Sequence, residues 1–285
     1  MIRDYIRLVR PKHALKNIYV FFPLVFGHRL TDLPLLGRVT AGFFAFCAAA
    51  FLVYVMNDLR DAEKDRRHPV KKQRPIASGA VSERGAVCVM VVLAALLVLI
   101  GVLTRFDWKC WACVGAYLAV NIGYSFGMKE IPILDVAILT LGFLLRVLFG
   151  SAISGIAVSG WLYLTVMAVS FYLAMGKRRN ELRRHSAEGR AVLQRYSDAF
   201  LEKNMQICLT LGVAFYALWS MQVQTAMGSG AMVWTVPLVL CICMKYSLTI
   251  EGESDGDPVE VLYADKVLLG LIAVFAAAVL ALLYL

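Results

Sequence analysis

Asn57-Asp58-Leu59-Arg60-Asp61-Ala62-Glu63-Lys64-Asp65-Arg66-Arg67-His68-Pro69-Val70-Lys71-Lys72-Gln73-Arg74-Pro75-Ile76-Ala77-Ser78-Gly79 begins where the apolar run Phe51-Leu52-Val53-Tyr54-Val55-Met56 ends. If the helix of the apolar run continues, Asp58, Asp61 and Asp65 stand at i, i+3 and i+7 and share one face. Asn57 extends the cluster through its i, i+4 relation to Asp61. Carboxylates crowded at one helix end repel each other unless a cation sits among them. Oxygen-only donors suit a hard ion such as Mg2+, which completes its shell with substrate phosphates. The basic tail Arg66, Arg67, Lys71, Lys72 and Arg74 follows, closing at Pro75. Acid followed by base is what a diphosphate site needs: a metal for the leaving group and cations for the other oxygens. The competing reading is a solvated loop of mixed charge.

Composition sets the environment. The 285 residues are 60% hydrophobic, with a mean hydropathy of +0.69. Soluble domains run nearer half apolar, so the membrane class comes first. A helix needs about 20 apolar residues to cross a bilayer. Nine stretches qualify: 16–32, 37–56, 85–105, 108–127, 131–152, 160–176, 205–227, 231–249 and 267–285. The expected fold is therefore an all-α integral membrane protein of nine transmembrane helices, one polytopic domain over residues 1–285. Residues 1–16 carry five basic residues but lead into a span without a small-residue cleavage site, so they do not read as a signal peptide.

Lys and Arg placement sets the expected orientation. The segments 1–16, 57–84 and 177–203, with Lys129, Lys245 and Lys266, hold 24 of the 29 basic residues. The opposite side holds Arg29, Arg38, Arg105 and Lys109, and Arg146 lies inside a span. This predicts a cytoplasmic N-terminus and active face; nine spans then put the C-terminus outside. The net charge of +9 thus reports cytoplasmic loops and anionic substrates, and no nucleic-acid motif accompanies it. Seven cysteines sit mostly within spans, where Cys behaves as a small apolar residue. Cys110 and Cys113 have no second pair and no nearby His, and the odd count argues against a disulfide framework.

Along the chain, Lys16 and Asn17 lie just inside the membrane surface: either Lys16 snorkels to the interface, or the two point a cation and an amide into a substrate cavity. Ser82 is the expected N-cap of the helix that starts at Glu83. Asp135 and Arg146 both lie within one span, eleven residues apart, so they share a face at about 16 Å of rise. Ionisable residues inside a membrane face a cavity or one another; here they either pair with other helices or line a polar pocket. Gly142, Gly150 and Gly155 would let neighbouring helices approach closely. Lys177, Arg178 and Glu181, at the end of the span over 160–176, are spaced to share a helix face and, as that helix enters the cytoplasm, to point at the first cluster. Arg183 to Arg195 read as ordinary positive-inside charge. The acids between Glu251 and Glu260 read as a polar loop over the site.

Taken together, RPKxxxKN at 10–17, NDxxDxxxD at 57–65, KKxRPIASG at 71–79, YSxxxK at 124–129, Asp135 with Arg146, KRRxE at 177–181, RxVLxxY at 190–196 and GDPxE at 256–260 resemble the UbiA superfamily of membrane prenyltransferases. Within it they look like the decaprenyl-phosphate phosphoribosyltransferase branch. The resemblance covers almost the whole chain, and its most specific parts are the Asp-rich motif and KRRxE. The superfamily places an Asp-rich motif in each of two halves, and here the second place holds Lys177-Arg178-Arg179-Asn180-Glu181 with no Asp pair.

The resemblance implies a UbiA-type bundle with cytoplasmic cap loops. It implies transfer of phosphoribose from 5-phosphoribosyl 1-diphosphate (PRPP) to a polyprenyl phosphate of decaprenyl type, with Mg2+ and release of diphosphate. Asn57, Asp58, Asp61 and Asp65 would hold Mg2+, with the three aspartates and Lys129 as catalytic candidates. Arg74 and Lys129 would neutralise phosphate charge, and Lys177 and Arg178, oriented by Glu181, would bind the 5-phosphate or the lipid phosphate. Lys16, Asn17, Tyr124, Asp135 and Arg146 complete the substrate-binding candidates. The acceptor phosphate is already a nucleophile, so no general base is required. Two other readings stay open. A prenyltransferase acting on an aromatic acceptor needs the missing second Asp-rich motif. A transporter of anionic metabolites would use Asp135 and Arg146, but lacks matching polar residues on the opposite face. Small residues in the spans permit a homo-oligomer.

Overall fold

The structure is a computed structural model that describes residues 2–67, 71–185, 191–227, 231–252 and 256–285. Among these residues there is no strand. The α-helices are α1 (Ile2–Val9), α2 (Phe22–Phe26), α3 (Leu33–Arg60), α4 (Ala62–Arg67), α5 (Glu83–Leu103), α6 (Trp108–Ser125), α7 (Leu134–Ser154), α8 (Gly160–His185), α9 (Asp198–Met227), α10 (Val236–Glu251), α11 (Pro258–Ala264) and α12 (Lys266–Tyr284). Five short 3-10 segments join them. Helix starts follow local chemistry: the side chains of Asp32, Ser82 and Asp107 accept the N–H groups of Leu35, Gly85 and Cys110, capping α3, α5 and α6. The Ser82 cap agrees with the sequence reading.

Among the described residues, six helices are long and apolar enough to cross a membrane: Leu33–Arg60, Glu83–Leu103, Leu134–Ser154, Asp198–Val223, Met232–Glu251 and Lys266–Tyr284. The expected count of nine is not confirmed. The clearest difference lies at 16–32, which is a 3-10 helix over Pro11–Phe21 followed by the five-residue α2. Pro23 cannot donate a backbone hydrogen bond to the preceding turn, and His28 takes a left-handed φ of 57°, so no single helix runs through. Helices α6 and α8 form where spans were expected, but their Trp, Tyr, Asn and Lys residues dilute the apolar stretch.

The chain divides into two compact units. The first comprises Met1–Leu24, Arg29–Met128 and Leu145–Ile156. Its axis is α3, which packs on α1, the Pro11–Phe21 segment, α5 and α6. Over half of the apolar window of α3 is buried (56%), against 17% for α5, which turns Val91, Val92 and Leu99 outward. Small residues make this possible: a Cβ on Gly42 would sit 2.4 Å from Ile153 Cδ1, and one on Gly150 would sit 2.1 Å from the Val20 carbonyl oxygen. Gly150 is thus a packing glycine, as expected, whereas Gly155 ends α7 with φ 71° and has open space around it.

The second unit comprises Val25–His28, Lys129–Leu144 and Ala157–Leu285. Helix α8 packs along α9, and α10 along α12. One apolar cluster gathers Leu162, Tyr216, Trp219 and Val279, and another gathers Tyr172, Met205, Tyr246 and Ile250. Asp257 and Asp265 cap α11 and α12.

Candidate active site

In the first unit, the acidic motif sits where α3 ends. A helix C-terminus is the negative end of the backbone dipole, so carboxylates there need nearby cations. Asp58 and Asp65 are buried, at 3% and 4% exposure. Arg10 Nη2 donates to both oxygens of Asp58, at 2.5 and 2.7 Å. Arg74 Nη1 donates to Asp58 Oδ1 at 3.1 Å and to Asp65 Oδ2 at 2.7 Å. Arg74 is delivered by the KKxRPIASG segment, which folds into a tight turn. Ser78 N bonds Arg74 O, Val81 N bonds Pro75 O, Ile76 is buried, and Gly79 supplies the left-handed φ of 79°.

The continuous helix expected through Asp65 is corrected. Helix α3 ends at Arg60, Asp61 turns with φ −86° and ψ 4°, and α4 carries Asp65. Both sides of the bend stay packed, since Leu59 of α3 and the buried Ala62 of α4 join the same apolar cluster. Two hydrogen bonds also bridge the bend, Asp61 N to Asn57 O at 2.9 Å and Asp65 N to Asp61 O at 2.8 Å. They keep Asp58 and Asp65 near enough to share one guanidinium nitrogen, while Asp61 is half-buried. The Asn57 amide oxygen accepts a hydrogen bond from Ser125 Oγ at the end of α6. Among the described residues no three His, Cys, Asp or Glu side chains form a ready-made ion cage. The donor set still fits Mg2+, which is commonly held by one or two carboxylates plus substrate phosphates rather than by an all-protein cage.

A second polar cluster in this unit surrounds Arg146, which is 4% exposed. Its Nε donates to Asn17 Oδ1 at 2.7 Å and its Nη2 to the Tyr117 hydroxyl at 3.2 Å; Asn17 Nδ2 reaches Cys47 Sγ at 3.0 Å. The guanidinium also lies over the rings of Tyr117 and Phe46, at 4.9 and 5.2 Å. Asn17 is thus fully buried, and Lys16 is half-buried beside it. Tyr124 is buried at the end of α6.

In the second unit, the first turn of α7 carries Asp135, which is fully buried. Arg178 Nε donates to Asp135 Oδ2 at 2.5 Å, and the Tyr196 hydroxyl donates to Asp135 Oδ1 at 2.7 Å. Arg178 Nη1 donates to Glu181 Oε2 at 2.5 Å, one helical turn on, as the spacing predicts. Asp135 is thus held by Arg178 and Tyr196, and Arg146 by Asn17 and Tyr117. Lys177 Nζ reaches Asp257 Oδ2 at 3.0 Å, so GDPxE grips the KRRxE helix end. Gly256 lies against Lys177 and Asn180, and Asn180 Nδ2 donates to the Ile250 carbonyl at 2.6 Å. Lys129 sits half-buried in the Met128–Glu130 3-10 turn. Arg190, Glu253 and Asp255 lie outside the described residues.

Arg10, Tyr196 and Asp257 are the polar partners that the sequence reading did not assign to the site. Each lay inside a quoted motif, RPKxxxKN, RxVLxxY or GDPxE, and that was the available signal. Burial, reinforced by the hydrogen bond to Asp135, pushes the Tyr196 phenol up to about 12.

The UbiA prenyltransferase family matches residues 20–263. A decaprenyl-phosphate phosphoribosyltransferase of Corynebacterium glutamicum is 35% identical over 272 residues, covering 92% of this chain and 81% of the relative. One of Mycobacterium tuberculosis is 31% identical over 275 residues, covering 94% of this chain and 90% of the relative. A solved UbiA homologue from Archaeoglobus fulgidus, bound to GPP and Mg2+, superposes with a TM-score of 0.71 at 18% identity, covering 99% of this chain and all of that one. The protein is an integral membrane transferase whose chain belongs to the UbiA prenyltransferase family and resembles its decaprenyl-phosphate phosphoribosyltransferases over most of its length.

Proposed function

We propose that the protein transfers 5-phosphoribose from PRPP to a polyprenyl phosphate of decaprenyl type and releases diphosphate. The observation that carries this reading is the basic end of α8. Arg178 is fixed there by Asp135 and Glu181, with Lys177 beside it, where a prenyltransferase would carry a second acidic motif. That chemistry suits a phosphate separate from the leaving group, which PRPP and a lipid phosphate both have and a prenyl diphosphate with an aromatic acceptor does not. The names of the relatives support the same assignment.

In this reading Asp58 and Asp65, with Asn57 and Asp61 alongside, would hold Mg2+, whose charge neutralises the departing diphosphate. Arg74 and Lys129 bind diphosphate or phosphate oxygens. Lys177 and Arg178 take the 5-phosphate or the lipid phosphate. The acceptor phosphate attacks ribose C1 as diphosphate leaves, through an oxocarbenium-like state, and no base is needed because the nucleophile is already anionic. Residues 1–285 form one polytopic domain with the N-terminus and the active face on the cytoplasmic side, where the basic residues concentrate.

The test is turnover in detergent with Mg2+, PRPP labelled in the ribose and a polyprenyl phosphate. Metal-dependent label in the lipid phase, lost in Asp61→Ala, is the expected outcome. No labelled lipid, together with product from a prenyl diphosphate and an aromatic acid, would replace this reading with the prenyltransferase one.

A further inference from the structure

Arg10 is unusual in both backbone and side chain. Its φ of 56° and ψ of 61° lie in the left-handed region, where a non-glycine residue meets steric opposition, and Pro11 follows it. Such a setting persists only when surrounding contacts hold it, and it is a pointer to function. Here the contact is the paired hydrogen bond to Asp58.

Charge balance defines the problem. Two buried carboxylates, Asp58 and Asp65, are matched by two guanidiniums, Arg10 and Arg74. A divalent cation added to this group leaves two uncompensated positive charges in a buried place, which is strongly unfavourable. Either a guanidinium must leave or an anion must arrive with the ion. Arg74 bridges both carboxylates and its backbone is locked in the 74–81 turn. Arg10 pairs with one of the two carboxylates, Asp58, and lies over the Tyr54 ring at 5.9 Å; its side chain is 28% exposed, and its backbone is strained. Arg10 is the one able to yield.

We propose that Arg10 is an exchangeable counter-ion: it holds Asp58 while the donor is absent and passes to the diphosphate oxygens when metal and diphosphate bind together. The guanidinium fork suits either anion, because carboxylate and phosphate present similar paired oxygens. Metal alone then competes with Arg10, whereas metal plus diphosphate recruits it. This rests on the reading of the acidic motif as a metal–diphosphate site.

The experiment uses the full chain in detergent and Arg10→Gly, because glycine accepts the left-handed backbone without cost and removes only the side chain. Binding of Mn2+ alone is read from loss of the free-ion EPR signal, and binding of inorganic diphosphate is read at saturating Mn2+. Arg10→Gly is expected to bind Mn2+ alone about tenfold more tightly and diphosphate about tenfold more weakly, the size of one lost charge-assisted bond. Arg10→Lys, which keeps the charge but not the fork, shifts both in the same senses by less, and serves if the glycine variant does not fold. Any result other than opposite shifts, including a joint loss from a merely structural role, overturns the exchange. Wild-type transfer of labelled phosphoribose without opposite shifts sinks the exchange alone. Opposite shifts without such transfer keep the exchange and remove PRPP as the donor.

Discussion

The Tyr196 hydroxyl donates to Asp135 Oδ1 at 2.7 Å while its oxygen accepts the Ile133 backbone N–H at 2.5 Å. Asp135 uses its other oxygen for Arg178. Tyr196 therefore positions a basic residue that it does not touch. Tyr196→Phe leaves a buried carboxylate one donor short, a loss of about 1–3 kcal/mol in stability, read as a lower unfolding temperature in detergent. If Arg178 binds phosphate, the KM for PRPP rises about tenfold with a smaller change in kcat. A purely structural tyrosine would lower the unfolding temperature and leave KM alone.

The same hydroxyl gives a pH dependence. A folded-state value raised to about 12 means that the native state keeps the phenol proton after the unfolded chain has lost it. The contribution is complete below the unfolded value, about 10, and is lost as pH rises from there through the folded value. Stability of the wild type should fall across that alkaline window, and the decline should be shallower in Tyr196→Phe. Parallel curves for the two proteins would show that another group governs alkaline unfolding.

Burial separates the aspartates of the first motif. Asp58 is 3% exposed and carries two guanidiniums, whereas Asp61 is half-buried at the bend. Asp58→Asn should lower turnover by about a hundredfold and raise the Mg2+ concentration needed for half-maximal rate, since even supporting residues at metal sites cost ten- to hundredfold. Asp61→Asn should cost less. Equal effects at the two positions in a Mg2+ titration would argue against Asp58 as the principal ligand.

Much of this arrangement was local enough to read from the chain. The apolar run before Asn57 predicts α3, and the i, i+3 spacing predicts the Arg178–Glu181 pair. The contacts that define the networks are not local. Asp58 meets Arg10 across 48 residues, and Asp135 meets Tyr196 across 61. Such pairs depend on helix packing, which composition and periodicity do not encode residue by residue. The 16–32 stretch misled for a related reason: its hydropathy satisfies the length of a span, but Pro23 and the left-handed His28 divide it.

Glycines test the packing directly. A methyl group on Gly150 meets the Val20 carbonyl oxygen at 2.1 Å, which backbone cannot readily give way to. Gly150→Ala should destabilise by about 1–3 kcal/mol, as overpacking does. At Gly115, in α6, a Cβ would meet nothing within 4 Å beyond its chain neighbours and its own helix backbone. Gly115→Ala should leave the unfolding temperature unchanged or raise it, because alanine is the better helix residue. A similar loss in both variants would mean that α7 does not approach the Pro11–Phe21 segment so closely.

The grip of GDPxE on α8 can be loosened without touching a basic residue. Gly256 has φ 76°, and a Cβ there would lie 3.0 Å from Lys177 Cα and 3.1 Å from Asn180 Cβ. Gly256→Ala should therefore lift the 256–260 segment and draw Asp257 off Lys177. Asp257→Asn removes the charge at that contact but keeps most of the α11 cap, since an Asn side chain also accepts from the backbone. If Lys177 is held ready for a phosphate, Asp257→Asn frees an uncompensated ammonium. It should bind PRPP as tightly as the wild type or more so, with its fixed geometry and therefore its kcat reduced. Gly256→Ala should weaken both, because the displaced segment no longer frames Lys177. Measured KM and kcat for the two variants separate these outcomes, and identical losses would reduce Asp257 to a helix cap.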